Sequence, residues 1–385
     1  MYAVIMAGGQ GARFWPRSRK KRPKQLLDIV GSESMIRQTV DRLLPFVDPE
    51  NVYVVTGIEH VEELIGHIQD VPSENIIAEP VGRNTAPCIG LAAMRLKKRD
   101  PESVMAVLPA DHVILDKDIF LETLRNACEV AKSGDYIITL GMTPDRPETG
   151  YGYIKKGSVV REGTVPDLRP SPFCPPLNKG GTKGGVESGL SQTRFEAYHV
   201  ERFVEKPDRA TAEQYVKSGE YLWNAGMFVF KVSTILKAIE RHMPDLYLGL
   251  LRLEPALGRE EQERALNDVY GELPSVSIDY GVMEKADNVL VIPSTFGWND
   301  VGSWTAIDDL LPRDEQGVVA HAEHISIDTK DCIIYSPKKL VATIGVSNLI
   351  VVETEDALLI CDKSRAQDVK KVVEMLEKEG KEQYL

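Results

Sequence analysis

The order of apolar runs along the chain predicts an α/β fold. It would be built on a mixed, mainly parallel sheet with helices on both faces, followed by a small β-rich module. Three observations carry this. Short apolar, strand-like runs alternate with stretches of helical periodicity. Two of the runs end directly in turn residues, Gly8-Gly9 and Pro109-Ala110-Asp111. After about residue 312 the chain becomes a series of short β-branched segments separated by turns.

Residues 2–6 (YAVIM) suit a buried strand feeding a tight turn at Gly8-Gly9. Ile36, Val40, Leu43 and Leu44 share one helix face, and 52–56 (VYVVT) reads as a strand. Ile89, Ala92, Ala93 and Leu96 repeat at helical spacing, with Pro87 tolerated in the first turn. Residues 104–108 (VMAVL) and 136–140 (YIITL) are strand-like around a helical stretch at 118–132. This alternation predicts parallel strands in a Rossmann-like arrangement. In such sheets ligands bind beyond the carboxyl ends of the strands, so the two turns should lie on the binding edge.

Residues 166–190 hold five prolines and five glycines in 25 positions, a composition that builds no packed core. The segment, about 163–194 at its widest, reads as an insertion between strands at 151–155 and 199–205; an active-site lid is the alternative. The first domain would then span 1–312 and a β-rich module 313–385. In the module, HISID, CIIYS, LVATIG, NLIVVET and ALLICD read as short strands, and a β-solenoid such as a left-handed β-helix is left open. A helix near 364–379 closes the chain, with Ser364 as its N-cap and Ala366, Val369, Val373 and Leu376 on one face.

A length of 385 residues fits two domains. Acidic residues outnumber basic ones 58 to 46, for a net charge of −12. That field repels a nucleic-acid backbone but leaves room for a small anionic substrate at a local basic cluster. No apolar run is long enough for a membrane span, the N-terminus lacks the pattern of a signal peptide, and the five cysteines form no CxxC. The cytoplasm is the expected compartment.

The strongest chemical signal is Gly8-Gly9-Gln10-Gly11-Ala12-Arg13, continuing to Pro23-Lys24-Gln25. Glycines allow close approach of a phosphate, and successive N–H groups can form an anion nest. Seven basic residues and no acid fall between positions 13 and 24. In an acidic protein such a run asks for a polyanion; a solvated helix face is the plainer reading. The dinucleotide pattern GxGxxG fails at Arg13, and a P-loop is absent.

The GGxGxR…PKQ loop is similar to the signature of the sugar-1-phosphate nucleotidyltransferases. Further segments agree: 79–87 (EPVGRNTAP), 108–112 (LPADH), 149–154 (TGYGYI), 203–207 (FVEKP), 223–227 (WNAGM), 277–280 (SIDY) and 298–304 (WNDVGSW). In this order, over about residues 1–310, the set resembles the mannose-1-phosphate guanylyltransferases. Phe14 stands where that family has Leu, and Ala225 and Asn299 where it often has Ser. These departures touch only fine sugar contacts. Long members carry a phosphomannose isomerase domain, an activity expected to be missing here.

The resemblance implies that GMP passes from GTP to mannose 1-phosphate, giving GDP-mannose and pyrophosphate with Mg2+ as cofactor. Alternatives are another hexose phosphate or base, or a silent sugar-nucleotide-binding regulator. Arg13 and Lys24 would neutralise the triphosphate, bound on Gly8, Gly9 and Gly11. Asp111 and Asp300 would ligate the metal, which usually takes one or two protein carboxylates plus phosphates and waters. Lys206 would meet the sugar phosphate, with Glu205, Asn224 and Asp279 on sugar hydroxyls and Tyr151 and Gly152 letting the backbone approach. Arg83, Asn84 and Thr85 would lie near guanine, Asn84 doubling as a helix N-cap. His112 reads as structural, and His321 and His324 as surface residues. The β-rich module is expected to pack on the first domain and to mediate a homodimer.

Overall fold

Period-two alternation decides how the first strand is used. In β1 (Tyr2–Ala7) Ala3 and Ile5 face one layer of helices, while Val4 faces the other. The computed structural model describes residues 1–160 and 196–385.

The other strands of the first part of the chain are β2 (Val52–Gly57), β3 (Ile76–Glu79), β4 (Val104–Pro109), β5 (Val113–Ile114), β6 (Ile137–Met142), β7 (Gly152–Val159), β8 (Tyr198–Glu205), β9 (Tyr221–Lys231), β10 (Val289–Ser294) and β11 (Trp298–Asn299). Eight of them join β1 in a nine-stranded sheet in the order β3-β2-β1-β4-β9-β6-β10-β8-β7. The pairings β1–β2, β1–β4, β2–β3 and β6–β10 are parallel. β9 runs antiparallel to both β4 and β6, and β8 antiparallel to both β10 and β7. All the other strands of this sheet therefore share one direction, which is the mixed, mainly parallel sheet anticipated.

Helices Met35–Leu43 and Lys117–Ser133 cover one face through Ile36, Val40, Leu43, Phe120, Leu124 and Ala127. Helices Thr85–Lys97, Val232–His242 and Pro244–Leu253 cover the other through Ile89, Ala92, Leu96, Ile235, Ile239 and Leu250. Pro87 sits in the first turn of its helix, and Asn84 Oδ1 caps it by accepting from Thr85 N at 2.9 Å. The expected insertion at 163–194 lies outside the described residues; β7 and β8, on either side of it, pair antiparallel. No helix among the described residues is long and apolar enough to cross a membrane.

A second sheet holds β12 (Val319–Ile327), β13 (Ile333–Ile344), β14 (Leu349–Glu353) and β15 (Leu358–Asp362). β12, β13 and β14 are parallel neighbours, while β15 returns antiparallel to β14. Two expectations need correction. The segments CIIYS and LVATIG do not form two strands: Pro337 between them falls within β13, where β12 shifts register. Ser364 is not a cap, because Asp362 Oδ1 accepts from its N–H at 2.8 Å. The chain makes a 3-10 segment, Lys363–Asp368, before the α-helix Val369–Lys378 begins.

This module shares its core with the first part of the chain. Val319, Ile333, Ile350, Val352 and Val369 pack with Phe14, Trp15, Leu27, Val301 and Trp304 in one buried cluster. An ion pair crosses the same boundary: Lys363 Nζ lies 2.6 Å from Asp308 Oδ2, with side chains only 10% and 13% exposed. Removing one partner of such a pair strands the other charge away from water. Lys363→Met is expected to lower unfolding free energy by about 3 kcal/mol, read as a lower urea midpoint at unchanged slope.

Candidate active site

The carboxyl ends of three strands deliver the first residues of the site: Gly8 after β1, Glu79 ending β3, and Asp111 just past β4. Asp300 comes from far along the chain, and a two-stranded ladder brings it in. β5 pairs antiparallel with β11, setting Val113 opposite Asn299, so the residues flanking this pair, Asp111 and Asp300, become neighbours.

Lys24 occupies the space between them. Its Nζ donates to Asp111 Oδ2 at 2.8 Å and to the Asp300 backbone carbonyl at 2.7 Å. The lysine side chain is 6% exposed, the aspartate 33%. Burial alone would raise the Asp111 carboxyl, but the Lys24 ammonium and nearby His112 outweigh it and hold the group below the usual carboxylate range. Gly11 makes room for this lysine. It has φ +65°, and a Cβ there would lie 2.3 Å from Lys24 Cβ.

Two lobes open on either side of Lys24. One, about 390 Å³, is lined by Gly8, Gly9, Glu79, Arg83, Asp111 and Asp279, with Asn84 and Thr85 at its wall. A Cβ on Gly9 would meet no protein atom within 4 Å. Among the described residues the N–H groups of Gly9, Gln10 and Gly11 donate to no protein acceptor. Packing therefore does not explain Gly9, while unpaired N–H groups beside a cavity are what an anion requires. The other lobe, about 810 Å³, is lined by Arg13, Arg146, Tyr151, Lys206, Asp300 and Gly302. Tyr151 donates to Asp300 Oδ1 at 2.8 Å, and burial raises the tyrosine's pKa.

The remaining predicted residues bond one another beside the lobes, and Glu205, Asn224 and Gly152 line neither of them. Asn224 Nδ2 donates to Asp279 Oδ1 at 2.7 Å; burial and the nearby Glu205 charge raise the Asp279 carboxyl. Lys206 Nζ lies 2.5 Å from Glu205 Oε1, a pair exposed on the lysine side. At Gly152 the absence of a side chain leaves room for Glu205, whose Oε2 would sit 2.5 Å from a Cβ there. The oxygens of Asn84 and Thr85 serve the backbone, accepting from Thr85 N and Ile278 N. His112 is held structurally, its Nδ1 accepting from Trp298 Nε1 at 3.0 Å, and burial lowers its pKa.

The basic run is neither a free polyanion-binding strip nor a solvated helix face. Arg17 pairs with Asp28 and lies 4.4 Å over the Tyr335 ring; Arg19 pairs with Asp356, and Lys20 with Glu377 and Glu382. Only Arg13 and Lys24 of this run line or bridge the cleft. His321 stacks on Tyr335 and His324 bonds Thr343, so these two histidines take part in packing.

Residues 2–176 and 183–317 match the nucleotidyl transferase family, and residues 322–376 match a MannoseP isomerase/GMP-like beta-helix domain. The chain belongs to the nucleotidyl transferase family. It is 38% identical over 393 residues to a mannose-1-phosphate guanylyltransferase of Escherichia coli (strain K12), covering 100% of this chain and 75% of that protein. A relative of the same name from Klebsiella pneumoniae is 38% identical, covering 99% and 75%. A crystal structure from Thermus thermophilus, described as a mannose-1-phosphate geranyltransferase, is 34% identical. It superposes with a TM-score of 0.81 over 98% of this chain and 99% of that one.

Sequence reading of this nucleotidyl transferase missed two cleft residues. Arg146 reaches the larger lobe from a proline-flanked turn and lies 5.3 Å over the Trp223 ring. Its one signal was a cation just ahead of the TGYGY motif. Glu79 opened a quoted motif but was given no role. It is 4% exposed, accepts the Tyr270 hydroxyl on Oε1, and lines the smaller lobe beside Arg83, whose buried Nε has no partner among the described residues. Burial pushes the Glu79 carboxyl from 4.5 up to about 7, against the lowering effect of the Tyr270 hydrogen bond. Between those two values the folded chain binds a proton that the unfolded chain has released. Stability from this group is thus full below about pH 4.5 and is lost as pH rises toward 7. Glu79→Gln is expected to remove a falling slope approaching about 1.4 kcal/mol per pH unit in that window, measured by urea unfolding across pH.

Proposed function

We propose that this chain transfers GMP from GTP to mannose 1-phosphate, releasing pyrophosphate. The observation that carries the reading is the Lys24 bridge. One buried ammonium joins Asp111 of the smaller lobe to Asp300 of the larger, so two anionic substrates seated in the two lobes would meet at a shared positive charge.

A phosphate monoester has a second pKa of about 6, so the sugar phosphate arrives ionised. Its oxygen attacks the α-phosphorus of GTP, a P–O bond forms to GMP, and the bond from the α-phosphorus to the bridging oxygen breaks. The electron pair leaves on pyrophosphate. No general base is needed, and the protein's work is positioning and charge stabilisation. Arg13 in the larger lobe and Lys24 between the lobes supply cations; the free N–H groups of the glycine turn supply donors. Lys206, Arg146 and Tyr151 line the lobe suited to the sugar phosphate. Glu205 pairs with Lys206 beside Gly152, and Asn224 bonds Asp279 of the neighbouring lobe, so these groups would meet sugar hydroxyls. Arg83 and Glu79 face the lobe suited to the base. An acceptor oxygen of Glu79 there complements guanine, whose N1–H and amino group are neighbouring donors. We also place the boundary between catalytic domain and β-rich module near residue 312.

Asp111 and Asp300 fit a magnesium ion by the chemistry of their donors, hard carboxylate oxygens on two residues that both bond Lys24 Nζ, Asp111 through its carboxylate and Asp300 through its backbone carbonyl. No cluster of three or more His, Cys, Asp or Glu exists among the described residues, and magnesium held largely by phosphates and waters needs none. Bound there, the ion would offset phosphate charge.

Pyrophosphate release from a panel of sugar phosphates and nucleoside triphosphates tests the assignment. Mannose 1-phosphate with GTP is expected to give the highest kcat/KM, and glucose 1-phosphate with UTP or dTTP giving a higher value would overturn it. Binding of GTP without turnover would point instead to a regulatory subunit. Lys24→Met is expected to lower kcat by about 10²–10³-fold, the range for loss of one preorganised charge-stabilising donor.

A further inference from the structure

The glycine-rich turn and the residues after it form a coil of short turns, held by bonds such as Phe14 N to the Gly11 carbonyl at 2.9 Å and Ser18 Oγ to the same carbonyl at 2.7 Å. Nothing in this coil is long enough to fix its own orientation over the cleft. The fixation comes from both sides. On one, Trp304 Nε1, from the segment that carries Asp300, donates to the Trp15 carbonyl at 3.2 Å. On the other, Trp15 Nε1 donates to the Tyr384 carbonyl at 2.8 Å. Arg19 is the knot of that second attachment. Its Nη1 donates to the same Tyr384 carbonyl at 2.5 Å, its Nη2 to Asp356 Oδ1 at 2.8 Å, and its Nε back to Pro16 O at 2.7 Å within the coil.

A guanidinium 15% exposed is unfavourably placed by burial, which lowers its pKa against the opposing effect of Asp356. Its planar fork offsets that by satisfying acceptors in three chain segments with one rigid group. Those segments are the coil that presents Arg13, the turn after β14 and the last residues of the chain. Arg19 does not line either lobe of the cleft. Its effect on a substrate must pass through the residues it holds.

We propose that Arg19 is a positioning residue for the nucleotide triphosphate. It fastens the coil bearing Arg13 and the glycine turn to the C-terminal module, so that the phosphate donors of the first domain are oriented by the second. The proposal rests on the reading of this cleft as a GTP site. It makes the β-rich module part of the nucleotide half-site, even though few of its residues reach the cleft.

The test uses the full chain with Arg19→Met, Arg19→Lys and Trp15→Phe, the last removing one donor to Tyr384 while keeping an aromatic ring. Arg19→Met is expected to raise KM for GTP tenfold or more, with KM for mannose 1-phosphate, whose lobe Arg13 lines, raised by clearly less. Trp15→Phe should shift KM for GTP in the same direction by less, and Arg19→Lys should recover part of the loss through Asp356. Hydrogen exchange on the substrate-free protein is the independent arm. The amides of Phe14, Trp15, Arg17 and Ser18, which are bonded within the coil, should exchange at least tenfold faster in Arg19→Met, with β1 and β4 unchanged. Unaltered exchange in that coil overturns the proposal, as does a loss shared equally by both substrates that follows the fall in melting temperature. Should the wild type fail to turn over GTP, the functional reading fails, while the exchange measurement still decides the role of Arg19. If Arg19→Met does not fold, Trp15→Phe and Asp356→Asn carry the same comparison.

Discussion

The ammonium of Lys24 is the constraint on which the rest of the site depends. It is nearly excluded from solvent and bonded to a carboxylate and a carbonyl that are 189 residues apart in the chain, between Asp111 and Asp300. An unpaired charge in that position would be strongly unfavourable, so the two aspartate loops must close on it for the fold to form at all. Closing them defines the floor between two cavities. The same contact that satisfies a buried lysine therefore places a cation where two phosphate-bearing ligands would otherwise repel each other.

The distribution of charge follows from this. A chain with net charge −12 binds anions only if its cations are held in a small volume. Its densest basic run is largely consumed by internal pairing, with Asp28, Asp356, Glu377 and Glu382 drawing Arg17, Arg19 and Lys20 away from the cleft. What remains for substrate is few groups in fixed places rather than a broad field. A preorganised arrangement of this kind suits a reaction whose barrier is set by charge on phosphoryl oxygens.

The attachment between the two parts of the chain has the same logic. Apolar residues of the β-rich module share a core with Phe14, Trp15 and Trp304, residues flanking the glycine turn and Asp300. The catalytic edge is thus built on a surface that only the later module completes.

Much of this was readable in the residues alone. Strand and helix alternation fixed the layers, because burial on both faces leaves a periodic trace in each element. The motif order gave the family and named most of the residues that line the cleft, but their sorting is the structure's: Gly8, Gly9, Arg83, Asp111 and Asp279 line one lobe, and Arg13, Tyr151, Lys206 and Asp300 the other. What could not be read was the partner of each charged group. A sequence states that seven cations follow a glycine turn; it does not state which acids lie within 4 Å of them, since those acids come from Asp28 to Glu382. Glu79 shows the same limit: nothing in its neighbours along the chain indicates that burial raises its carboxyl to about 7 against the hydrogen bond from Tyr270. The continuity of β13 across Pro337 was likewise decided at long range, by its pairing with β12 on both sides of the proline, whereas the cap at Asp362 rather than Ser364 is a bond between residues two apart. Local preference and periodicity are properties of neighbouring residues and survive in the sequence. Ion pairing, burial and the meeting of distant loops depend on distance in space, which the folded chain alone defines.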